Sequence, residues 1–148
     1  MEYSTMAKET LQFLPPTQAR QLTELADRAR LSLSRFTSTK VEFDAIGLQL
    51  LDEWIDRHLR QFPEPSRDLI TVWGAFLGEV FRRRFHGEWA IDNSQRKPRL
   101  GVICPREQRG LLFVDVMDQV QRRIKNDMQD SLAFYYAEKS VEIREVEI

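Results

Sequence analysis

Reactive and metal-ligating residues are scarce in this chain. Its 148 residues include one cysteine, Cys104, and two histidines, His58 and His86. A lone cysteine cannot close an intramolecular disulfide, which points to a reducing compartment. Neither H-E-x-x-H nor C-x-x-C occurs, so the familiar zinc constellations cannot be built. No serine sits in G-x-S-x-G, and both G-x-x-x-x-G-K-S/T and G-x-G-x-x-G are absent. The nucleophile elbow and two common phosphate cradles are therefore missing. No apolar run approaches the roughly 20 residues that span a bilayer. The N-terminus has neither a basic n-region nor a long apolar h-region, so no secretory signal is expected. The expected setting is the cytoplasm of a bacterium. A net charge of −1 gives no global instruction toward nucleic acid or membrane. No catalytic residue, metal or cofactor is predicted.

What is present reads as one helix-rich domain, a size that buries roughly two-thirds of its unfolded surface. Residues 1–16 read as an N-terminal arm closed by Pro15-Pro16, and residues 17–148 as a single globular domain. Ala19, Leu22, Leu25, Ala26, Ala29, Leu33 and Phe36 share one face, predicting a helix from Thr17 to about Phe36. Asp44 is a suitable N-cap for a second helix, ended near Phe62 by Pro63 and Pro65. Ser66 caps a third helix, from Arg67 to about His86. Its wide apolar arc, with Trp73, Phe76, Leu77, Val80 and Phe81, predicts the most buried helix. Gly74 and Gly78 lie at the edge of that arc, one turn apart. Glycine in a helix interior costs roughly 1 kcal/mol relative to alanine, so close packing is the expected reason for the pair. Gly87 fits a left-handed helix stop.

Glu88–Asp92 and Arg99–Cys104 alternate and read as an antiparallel hairpin, ended by Pro105. A fourth helix is predicted from about Leu111 to Asn126, with Asp115, Asp118, Arg122 and Arg123 on its exposed face. A short fifth helix starts at Asp130 or Ser131. Val141–Ile143 and Val146–Ile148 alternate in strand fashion, as a third strand or a mobile tail. The predicted class is α+β: four to five helices packed on a small antiparallel hairpin or three-stranded sheet.

Most candidate polar residues have an ordinary structural explanation beside a functional one. His58 lies on the buried stripe of the second helix. His86 precedes a helix stop, where a cation complements the helix end. Cys104 reads as a buried core residue. Glu79 has Arg82 and Arg83 three and four residues on, the spacing of surface ion pairs worth ~0.2–0.5 kcal/mol. Its functional reading is a polar group lining a groove between the third helix and the hairpin, with Glu88 and Trp89 at the rim. From Arg82 to Lys125 there are 11 Lys/Arg against 5 Asp/Glu. That run, with Arg83, Arg96 and Arg99, is either a solvated face or a surface for nucleic acid or an acidic protein. The candidate binding residues are thus Glu79, Glu88, Trp89, Arg83, Arg96 and Arg99.

Three strings carry a resemblance: Leu51-Asp52-Glu53-Trp54-Ile55-Asp56, then Gly74-Ala75-Phe76-Leu77-Gly78-Glu79, then Gly87-Glu88-Trp89. Together they resemble an uncharacterised family of small bacterial domains with a G-x-x-x-G-E helix followed by a G-x-W strand. The resemblance spans about Phe43 to Tyr136 and implies a fold rather than an activity; it implies an immunity or accessory role only loosely. The leading reading is a non-enzymatic protein-interaction domain. It would bind a protein partner or itself through the hairpin and the flanking surface of the third helix. One alternative is a small-molecule or enzymatic pocket around Glu79 and Trp89. The other, less favoured, is nucleic-acid binding by the basic 82–125 region. No membrane partner is expected.

Overall fold

The computed structural model describes residues 10–107 and 109–144 of the chain. Helix α1 covers Pro16–Thr37, with Pro15 as its N-cap residue and Ser38, at φ 55°, closing it. Proline suits the first helical position because the N–H it lacks would be unpaired there anyway. The proline pair therefore begins this helix rather than standing outside it. Helix α2 (Ala45–Gln61) is capped by Asp44, whose side chain accepts from the Gly47 N–H at 2.8 Å. Ser66 does the same for α3 (Arg67–Phe85), accepting from Leu69.

Three strands after α3 join one that precedes α1 in a four-stranded antiparallel sheet. Strand β1 (Leu11–Phe13), β2 (Glu88–Asp92), β3 (Arg99–Arg106) and β4 (Gly110–Val114) lie side by side in that order. Leu11–Phe13 pairs with Ala90–Asp92, so part of the segment read as an arm belongs to the sheet. The predicted α+β class holds, with four strands in place of two or three.

Four local expectations are corrected. Pro105 does not end β3, which runs on to Arg106. The β2 register stops at Ile103, so the missing proline N–H falls where β3 has no neighbour on that side. Leu111 and Phe113 are strand residues, not the start of a helix. Helix α4 (Val116–Asn126) begins after Asp115, whose carboxylate accepts from the Asp118 N–H. Val141–Ile143 is helical, because α5 (Leu132–Arg144) continues past it; residues 146–148 lie outside the described residues. Finally, the left-handed residue ending α3 is His86, at φ 54°, and not Gly87. Gly87 is small for another reason: a Cβ there would stand 2.8 Å from the Ile103 carbonyl oxygen on β3.

The core lies between the helices and the inner face of the sheet. Helix α3 is buried around almost its whole circumference from Trp73 to Phe81, with α1 on one side and the sheet on the other. Leu33, Leu48, Leu51, Ile55 and Leu132 bring α1, α2 and α5 to the same core.

Candidate functional site

Glu79 is the centre of the first polar cluster. The sequence places it off the apolar arc of α3, yet it is 0% exposed. A helix buried on all sides has no solvated face for it to occupy. Its carboxylate accepts from Arg82 Nε at 2.6 Å and Nη2 at 2.8 Å, Arg83 Nε at 3.1 Å and Trp89 Nε1 at 3.0 Å. The Thr23 hydroxyl stands 3.3 Å away and also reaches the Ala19 carbonyl oxygen. A carboxylate offers about four lone-pair directions, and four N–H groups already fill them. Burial pushes the Glu79 carboxyl up, but the hydrogen bonds from Arg82, Trp89 and Arg83 and the Arg82 charge outweigh it and hold it below the usual value. This is a saturated anion that ties α3 to β2, not a poised base. The surface-pair reading of Glu79 is overturned.

Trp89 is buried as well, although it contributes to the wall of the cleft beside it. It is 2% exposed, with its indole against Gly78 and its N–H on Glu79. Glu88, the next residue on β2, is exposed. Arg83 is held by Glu79, with its guanidinium 4.3 Å above the Phe43 ring. An open cleft of about 470 Å³ runs alongside, formed by Ala19, Arg20 and Thr23 of α1, Arg82 of α3, and Glu88 and Trp89 of β2. Glu79 does not line it.

Several arginines of the basic run are held in ion pairs within the domain. Arg99 is ion-paired with Asp92 and, at 3.1 Å, with Asp115, and it lies over the Phe113 ring. Burial alone would raise the Asp92 carboxyl, but Ser94 and Arg99 bring it below the usual value. Arg122 pairs with Asp118 at 2.8 Å. Arg96, in the β2–β3 turn, is exposed and stays available. His58 is half-buried, its ring packed against Phe62 and edge-on to Trp73 at 5.6 Å.

A second polar cluster went unrecognised among the candidates. Arg123, expected on the exposed face of α4, is 0% exposed. Its Nε meets Asp52 Oδ1 at 2.9 Å, and its Nη2 meets Asp56 Oδ1 at 2.6 Å. The other bonds to the Asp52 carboxylate come from the N–H groups of Leu132 and Ala133, at 3.0 and 3.1 Å. An acid on α2 thus caps the N-terminus of α5, where unpaired N–H groups favour an anion. The signal was present: Arg123 falls three and seven residues after Val120 and Val116, which are buried on α4.

The two faces of the sheet differ in cover, and the outer one is mixed in polarity. Strand register puts Trp89, Val102, Cys104 and Val114 on the inner face, all in the core. The same register puts Leu11, Phe13, Ala90, Ile103, Leu111 and Phe113 on the outer face, together with the charged Glu88, Asp92 and Arg99; of the apolar ones, Ala90 and Ile103 are buried. Phe13 is 59% and Leu111 55% exposed. An antiparallel sheet with one solvated face normally carries polar residues there.

Among the described residues, no group of three or more His, Cys, Asp or Glu is placed to hold a metal ion. No described helix is long and apolar enough to cross a membrane. The class defined by these observations is an α+β domain with helices on one face of a four-stranded antiparallel sheet. No family model, curated protein or solved structure matches the chain.

Proposed function

We propose that this chain is a non-enzymatic protein-interaction domain, acting in the cytoplasm of a bacterium, that binds a protein partner or a second copy of itself through the outer face of its sheet. The observation that carries this reading is the exposure of two large apolar side chains, Phe13 and Leu111, on the outer face of the sheet. Large apolar side chains left exposed on a sheet face are a cue to an interaction site when a partner covers them. The hairpin named from sequence supplies the middle of this face. The flank of α3 contributes less, because that helix is enclosed. An immunity or regulatory role is one version of the reading, in keeping with the resemblance to small uncharacterised bacterial domains.

The saturation of Glu79 favours interaction over a chemical pocket at that position. The internal pairing of Arg82, Arg83, Arg99 and Arg123 favours it over a continuous nucleic-acid surface. The test replaces Phe13 and Leu111 with glutamate and follows oligomeric state by light scattering and partner capture from the native host. Loss of association in the Phe13→Glu/Leu111→Glu variant, with an unchanged circular dichroism spectrum, is the expected result. Undiminished association would remove the outer face from consideration.

A further inference from the structure

At the far end of the domain, three arginines from separate parts of the chain line one cleft of about 430 Å³. Arg84 comes from the last turn of α3, Arg106 from the end of β3 and Arg144 from the last residue of α5. His86 stands beside them, and Phe85 and Ile143 provide an apolar wall. Among the described residues, Glu107 is the one acidic residue that lines it. We propose that this cleft binds the phosphoryl group of a small phosphorylated molecule.

Cations at helix C-termini complement the carbonyl ends, and that alone accounts for Arg84 and Arg144. It does not account for Arg106, which lies on a strand. The Arg106 guanidinium donates from Nη2 to the Arg109 carbonyl oxygen at 3.1 Å, while its Nε is buried with no acceptor. A buried donor without an acceptor is unfavourable, so the protein alone leaves this guanidinium incompletely paired. Arg84 has no acidic partner within 4 Å among the described residues. Arg144 lies over the Phe85 ring at 5.5 Å, which occupies the face of its guanidinium and leaves the N–H edges to donate.

The charge balance selects the ligand. Among the described lining residues, three guanidinium groups against one carboxylate leave an excess of two positive charges. A phosphomonoester carries roughly −1.5 to −2 at neutral pH and presents several acceptor oxygens to arginine forks. A monocarboxylate would leave the excess half compensated. The volume falls within the roughly 300–1,000 Å³ of small-molecule sites, larger than a bare phosphate requires.

The experiment is a titration of the full chain, followed by amide chemical shifts at constant ionic strength near pH 7.5. The probes are inorganic phosphate, phenyl phosphate and sodium acetate. Saturable shifts at residues 84–86, 106 and 143–144 are expected with both phosphate compounds, tighter for phenyl phosphate, and absent with acetate. Arg84→Gln/Arg144→Gln changes two exposed side chains and should retain the fold while binding roughly tenfold or more weakly. Equal responses to acetate and the phosphates would overturn the site. So would undiminished phosphate binding by the double variant, or shifts that never saturate.

Discussion

The indole of Trp89 lies directly on Gly78: a Cβ at position 78 would stand 2.0 Å from its Cη2. One turn earlier, a Cβ at Gly74 would meet Met117 Sδ at 2.2 Å. The two contacts are similar in length and unlike in consequence. A methionine side chain can swing aside, whereas the indole is pinned by its hydrogen bond to Glu79. Gly78→Ala should therefore destabilise the protein by about 1–3 kcal/mol beyond the helix-propensity gain, as an overpacked core does. Gly74→Ala should be close to neutral. Thermal denaturation of the two variants decides this, and equal midpoints would contradict it.

Glu79 predicts a particular acid response. Its folded carboxyl lies below the ordinary value of 4.5, so its stabilisation is fully present above that pH and is lost as pH falls through the folded value. Asp92 acts in the same direction. Asp115, raised chiefly by burial, acts in the opposite one and is common to both proteins compared. Glu79→Gln should cost about 1–3 kcal/mol at neutral pH, since Arg82 and Arg83 can turn partly to solvent. The same variant should show a shallower loss of stability below about pH 4.5 than the wild type. Chemical denaturation at several pH values measures both effects, and parallel acid profiles would falsify the assignment.

Removing Asp52 should be more damaging. Asp52→Ala leaves a fully buried Arg123 with one acid in place of two, and the first N–H groups of α5 without their acceptor. A broken buried pair typically costs about 3–5 kcal/mol. Urea unfolding should give that loss, and hydrogen exchange should show α5 opening first. Asp52→Asn, which keeps one carbonyl acceptor, should fall between the two.

Cys104 is fully buried, and burial pushes its thiol up to about 12. Since the thiolate is the reactive form, native protein at pH 8 should resist a disulfide reagent for hours. One equivalent should react at once in denaturant. Rapid native labelling would place the thiol nearer the surface than the inner face of β3.

The helices were legible because their apolar residues recur with the helical period and Asp44 and Ser66 mark their starts. The class of the fold followed from them and from the Glu88–Cys104 hairpin. Strand β4 was hidden because Leu111 and Phe113 happen to extend the spacing of Val116 and Val120 backwards. Only Asp115, capping α4, marks the change of period. Of the candidate residues, Glu79 and Trp89 were correctly paired in space but assigned to a surface. A wheel drawn for one helix cannot register that α1 and the sheet enclose α3 from opposite sides. Arg123 was misplaced although its spacing from Val116 and Val120 gave it away, because arginine is so seldom buried. The outer sheet face depends on strand register, which sequence alternation alone left open.

The Asp52 cluster also constrains when the chain can fold. Asp52 waits for partners 71, 80 and 81 residues further along, and among the described residues its carboxylate has no nearer hydrogen-bond donor. Contacts this remote in sequence close late and slow the search for the native state. During synthesis, α1 to α3 leave the ribosome with a carboxylate facing an unfinished core, so this interior cannot be sealed until α5 has emerged.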